Sequence, residues 1–329
     1  MILTGGALTL LATAGVIASS EPVPLLLFAA LFGAGEIVAN VAGLALLAET
    51  AEGEGRTRRF GVSFAAAGFA GFVASAIGGT LAGPAAAWLG APTVDVRVFR
   101  LLLAFAGAIG ATSGVPILLL SSRERPPHVA APRQWGVLAR FGAIQALFGF
   151  GAGSFLPFVN LFFAERFGLP FAAIGVILGA ISVGGGTGAL VHTRFADRLG
   201  SVRSLVALWV ASLPLALVGA FAPGAYVAAA ALLGRGIAMT TAVPAYDAFI
   251  VASFRPRERS GAQAILTTLW ALAHGGGALV SGAVRAALGT AGFTVNLLTL
   301  MLCYALAIVA FVAFFRGHVP RGDAVQSPR

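Results

Sequence analysis

Ten long apolar runs constrain this chain more than any other feature. They cover residues 2–19, 23–48, 59–83, 98–120, 138–163, 170–192, 203–221, 225–251, 259–284 and 292–315. A helix crossing a bilayer needs roughly 17 to 25 mostly apolar residues, because only internally hydrogen-bonded backbone is tolerated in hydrocarbon. With 58% hydrophobic and 10% charged residues, the chain lacks the polar groups to cover a soluble surface, so an all-α integral membrane protein is expected. Met1 leads straight into the first run without a basic segment, so no cleavable signal peptide is expected.

The arginines orient the spans. All 21 basic residues are arginine. Sixteen fall in one alternating set of connections and the tail, Arg56/58/59, Arg123/125/133/140, Arg194/198/203, Arg255/257/259 and Arg316/321/329. The opposite connections hold Arg97, Arg100, Arg166 and Arg285. The positive-inside rule then places the first set and both termini in the cytoplasm of a plasma (inner) membrane protein. Arginines in short clusters between apolar runs form no continuous basic face, so no nucleic-acid partner is expected.

The chain also repeats itself. Gly33 and Gly35 in L-F-G-A-G-E return as Gly234 and Gly236 in L-L-G-R-G-I, and Arg59 and Gly61 return as Arg259 and Gly261, the two offsets differing by one residue. Two homologous halves in parallel orientation are the expected source. The polar break S-S-R-E-R-P-P-H-V-A-A-P-R-Q-W separates them. The expected division is 1–120 as a four-helix N-terminal half, 121–137 as a cytoplasmic linker, 138–316 as a six-helix bundle and 317–329 as a tail. Four helices against six leaves the first half two short, as if two helices preceded Met1. The pairs Gly79/Gly83, Gly110/Gly114, Gly149/Gly153 and Gly184/Gly188 are spaced for close helix packing, and Pro157 is expected to kink the fifth span in its outer half.

The loop R-F-A-D-R-L-G-S-V-R at 194–203 resembles the D-R-x-G signature of the major facilitator superfamily through Asp197, Arg198, Gly200 and Arg203. It departs at Thr193, Ser201 and Val202. Arg259 with Gly261, and P-F-V-N at 157–160, also look like that family. The resemblance maps the ten runs onto the family's third to twelfth helices. It implies a two-bundle fold and a secondary active transporter of a small molecule that works by alternating access, efflux being one direction. Its partners would be a small-molecule substrate with a coupling proton and the lipid bilayer, in a monomer without cofactor. The family's antiporter signature would fall on A-S-A-I-G-G at 74–79, where Ala74 and Ser75 replace its Gly-Pro, so antiport is not implied. The alternative is an N-terminally truncated, non-transporting fragment or a membrane-embedded interaction protein.

Charges deep in hydrocarbon are costly and mark function by default. Two spans carry them, at Glu36 and Arg235. Asn40 shares the face of Glu36, and Tyr246 falls near that of Arg235 at 100° per residue. Glu36 and Arg235 are read as substrate contacts, Glu36 also as a proton carrier, or else as a structural ion pair. His274, with Trp270 and Thr267 on one face, is a proton relay, a substrate ligand or a packing histidine. Gln145 and Asn160 on the fifth span complete the candidates, and Asp247 is expected to meet loop arginines. Enzymatic readings find no support. Ser281 lies seven residues from His274, about 10.5 Å of helical rise. G-G-G-T-G at 184–188 lacks any lysine for a phosphate loop, and four histidines and one cysteine give no metal spacing.

Overall fold

A computed structural model describes residues 1–50, 56–93, 95–118, 133–255 and 258–316. Most of the expected linker, 121–132, and the tail, 317–329, lie outside them, as do the side chains of Asp197 and Arg198. The ten runs become twelve helices: α1 (Ile2–Ala18), α2 (Pro22–Thr50), α3 (Arg56–Leu89), α4 (Val96–Thr112), α5 (Gly114–Leu118), α6 (Trp135–Phe155), α7 (Val159–Phe167), α8 (Phe171–Leu199), α9 (Ser201–Ala220), α10 (Ala225–Ser253), α11 (Arg259–Leu288) and α12 (Ala291–Phe315). Among the described residues, nine spans are long and apolar enough to cross a membrane, and α1 is a shorter apolar helix. Trp88, Trp135 and Tyr226 stand exposed at helix ends, where amphipathic rings suit the headgroup layer.

Two runs are interrupted. The fifth stops at Phe155, turns once as a 3₁₀ segment through Leu156–Phe158 and resumes as α7, because Pro157 has no N–H for the ladder. The fourth was expected to be continuous from 98 to 120, yet it breaks at Ser113. There the hydroxyls of Thr112 and Ser113 donate to the carbonyls of Ile109 and Gly110 at 2.7 and 2.6 Å, and Pro116 supplies no N–H to the following turn. Helices also outrun their apolar cores: α3 continues to Leu89 and α8 to Leu199.

The chain forms two compact units, Met1–Phe60 with Ile77–Pro127, and Gly61–Ala76 with His128–Arg329. In the first, α1 and α2 form a close hairpin. A Cβ on Gly5 would come within 2.6 Å of the Ala39 amide nitrogen, and one on Gly35 within 2.9 Å of the Gly5 carbonyl. Arg100 of α4 donates to the Ser19 carbonyl at 2.7 Å and to Ser20 Oγ at 2.9 Å, tying α4 to the α1–α2 turn. At the start of α4, Asp95 caps the helix by accepting from the Arg97 amide. The Arg97 side chain, which also bonds it, holds this exposed carboxyl below its usual range.

In the second unit α6 packs backbone to backbone on α11. Gly149 and Gly153 face the carbonyls of Trp270 and His274, and Gly277 faces that of Phe150. Gly184 and Gly188 of α8 lie against Ile237 and Thr241 of α10. Segment 61–76 of α3 joins this unit by packing on α8: a Cβ on Gly68 would approach the Ser182 carbonyl to 2.9 Å, and one on Gly179 would reach the Phe72 ring at 2.7 Å. Where hydrocarbon gives no hydrophobic drive between helices, such backbone approach supplies the packing energy. The other glycine pairs behave differently. Among the described residues, a Cβ on Gly83 or Gly110 would meet open space, and one on Gly114 would meet only the Leu3 side chain, 3.5 Å away. A buried polar link joins three helices: Ser154 Oγ donates to the Asn296 carbonyl at 3.1 Å, and Asn296 Nδ2 donates to Ser281 Oγ at 2.6 Å.

Candidate functional site

Helix α10 turns one face into the second unit, carrying Ala228, Ala231, Leu232, Arg235, Ala242, Tyr246 and Phe249. Small residues let the helix sit deep, since Gly234 approaches Leu215 and Gly236 approaches Ile181. Arg235 is thereby drawn into the core and is only 4% exposed. Its guanidinium lies over the Tyr304 ring of α12, 5.1 Å from the centroid, a cation–π contact that offsets part of its desolvation. Tyr304 meets Phe148 of α6 edge to face at 5.0 Å, and Phe148 also contacts Trp209 and Tyr246. The aromatic wall supplies no charge. Arg235 Nε and Nη2 are buried without a hydrogen-bond partner among the described residues, and so is the Tyr246 hydroxyl.

Two other arginines of this unit contrast with it. Arg285 lies over Phe293 at 3.7 Å and pairs with Glu165 at 2.8 Å. Arg166 donates to the Ala220 carbonyl and to Thr294 Oγ1 at 3.0 and 3.2 Å, fastening the ends of α7, α9 and α12. Arg235 alone of these three has no oxygen against it among the described residues.

The remaining candidates are dispersed. Gln145, one turn before Phe148 on α6, is buried at 9% exposure. His274 stacks on Trp270 at 4.9 Å between centroids and is half-buried. Asn160 is exposed on α7; in the first unit Glu36 and Asn40 are exposed, one turn apart on α2. Asp247 pairs with Gln263 of α11 and, among the described residues, with none of the expected loop arginines. In the signature loop Gly200 adopts φ of +81° between α8 and α9, backbone that side-chain-bearing residues rarely adopt, and Arg203 is exposed. Among the described residues no three His, Cys, Asp or Glu side chains cluster to hold a metal. Tyr304 escaped the sequence reading, because nothing in an apolar span tells which aromatic residue will meet a distant arginine.

The sequence model of the Major Facilitator Superfamily matches residues 141–329, more than half of the chain. The chain belongs to the major facilitator superfamily. It is therefore a multi-pass protein of a family of membrane transporters. A comparison with curated proteins finds no match. Solved structures agree on the fold. A bacterial homologue of the human lysosomal transporter Spinster, inward-facing and occupied, superposes with a TM-score of 0.64 at 16% identity, over 96% of this chain and 82% of that one. The transporter FucP in its outward conformation gives 0.63 at 16% identity, over 97% and 83%. The Escherichia coli fucose:proton symporter FucP gives 0.61 at 18% identity, over 97% and 83%. The superfamily match spans Gln145, Asn160, Arg235, His274 and the loop at Asp197–Arg203, whereas Glu36 and Asn40 precede it.

Proposed function

We propose that this major facilitator protein is a secondary active transporter of a small molecule, working by alternating access as a monomer in the plasma membrane with both termini cytoplasmic. The observation that carries the reading is Arg235, a permanent charge in the middle of an apolar span with no acidic partner among the described residues. Packing alone gives no reason to keep such a group, whereas a substrate site does. Glu36 is assigned the proton, being the acidic group deepest in an apolar run. Asn40, Gln145, Asn160 and His274 are assigned to substrate contact, and the Asp197–Arg203 loop to the change between conformations.

Comparing small-molecule profiles of cells and medium tests this. Cells expressing the wild type should differ from empty-vector cells in a restricted set of compounds, and Glu36→Gln and Arg235→Gln should erase the difference. Identical profiles for wild type and empty vector would remove the transport reading. Orientation has its own test. A reporter fused after Arg125 or Arg257 should remain cytoplasmic and one after Pro92 or Pro223 should be exported, following the arginine bias; an exported Arg125 fusion contradicts the arrangement.

A further inference from the structure

The two unsatisfied donors of Arg235 are not an arbitrary pair. Nε and Nη2 form one straight edge of the planar guanidinium, with two N–H groups parallel and spaced to meet two oxygens of one anion. The same chain displays that edge filled. At the surface, Arg97 Nε donates to Asp95 Oδ1 at 3.2 Å and Arg97 Nη2 to Asp95 Oδ2 at 3.1 Å, a side-on bidentate carboxylate. Arg235 carries the same edge into the core, one face of the guanidinium against Tyr304 and no carboxylate among the described residues.

Resting on the transporter reading above, we infer that Arg235 binds the carboxylate of a small organic monoanion through its Nε/Nη2 edge, so that the transported substrate is a monocarboxylate. Charge count selects the class. One guanidinium balances one negative charge, and two arginines at the α7 end of this bundle already face oxygens of the protein, Arg285 through its Nη2 on Glu165 and Arg166 on the Ala220 carbonyl and Thr294. A phosphate monoester, at about 1.5 to 2 negative charges, would leave buried negative charge uncompensated. A carboxamide offers a single acceptor oxygen, and an ammonium group would meet like charge. Both donor atoms are sealed from solvent in this conformation, so the anion enters and leaves only when the protein opens at this face. Alternating access provides that movement.

The test is thermal unfolding of the purified full chain with a panel of monocarboxylates from acetate to benzoate, each beside its carboxamide, at constant ionic strength. The expected result is a saturable rise in melting temperature with one or more carboxylates, absent with the matching amides. Half-saturation should be at least about 30-fold weaker in Arg235→Gln, as for removal of one partner of a buried charge pair. Arg235→Lys keeps the charge and loses the two-donor edge; it should bind with intermediate strength and serves if Arg235→Gln does not fold. No stabilisation by any carboxylate, equal stabilisation by the amide, or an undiminished response in both variants overturns the inference. Flux of the stabilising carboxylate in proteoliposomes separates the two claims. Binding through Arg235 without flux leaves the site standing and removes transport, while flux of other solutes without carboxylate binding does the reverse.

Discussion

Replacing Gly153 by alanine should remove most of the folded protein, and replacing it by leucine should remove all of it. A Cβ at this position would overlap the His274 carbonyl of α11, and the neighbouring Gly149 and Gly277 hold the same seam against Trp270 and Phe150. The obstacle is backbone, which cannot rotate aside as a side chain can. Overpacking of this kind costs about 1–3 kcal/mol even where neighbours yield, a large share of the marginal stability of a folded protein. The controls lie in the same chain. Gly83→Ala and Gly110→Ala place a methyl in open space and should be neutral or gain about 0.5–1 kcal/mol from reduced backbone freedom. The height of the monodisperse peak in fluorescence-detected size exclusion separates these outcomes. Equal peaks for Gly153→Leu and Gly83→Ala would mean that α6 and α11 do not meet as described.

The second large effect is at Arg235, where stability and activity should move in opposite directions. An arginine at the centre of a span costs about 2.5–3.5 kcal/mol on insertion scales, and here only the Tyr304 ring offsets it among the described residues. Arg235→Gln should therefore fold at least as well as the wild type, with an equal or higher melting temperature, and show background flux. Stored destabilisation at a functional site predicts that pattern. Arg285→Ala should behave in the opposite sense. It loses both the Glu165 ion pair and the stacking on Phe293 and should lower the melting temperature. A marked loss of folded protein in Arg235→Gln, in the absence of any effect of Arg285→Ala, would show that Arg235 is a structural residue.

Spans and family were legible in the sequence for a simple reason: hydrocarbon demands long apolar runs, and charge demands loops. A kink at Pro157 could be read because proline removes a specific hydrogen bond, though not the full 3₁₀ interruption that follows from it. The break at Ser113 could not, since hydroxyl bonding to the preceding carbonyls depends on rotamers that the sequence leaves free. Glycine pairs show the limit most clearly. Gly149/Gly153 and Gly79/Gly83 have the same spacing, yet a Cβ on Gly153 would meet a backbone and one on Gly83 would meet none of the described residues, because spacing fixes a helix face and not the neighbour that covers it. The same holds at the site. Deep placement of Arg235 followed from its position in an apolar run, and its shared face with Tyr246 from helical geometry. The Tyr304 contact, the unfilled Nε/Nη2 edge and the pairing of Asp247 with Gln263 come from other helices that the local pattern does not name.

Counterflow in proteoliposomes tests the central claim most directly. Vesicles holding the purified full chain are loaded with an unlabelled compound from the set whose distribution the protein changes in cells, then diluted into a trace of the same compound in labelled form. A transporter that alternates access predicts transient, saturable accumulation of label above equilibrium, stimulated by the internal compound and reduced to the level of protein-free vesicles by Arg235→Gln. Label entry that is linear with concentration, indifferent to internal compound and equal in wild type and Arg235→Gln would contradict the account.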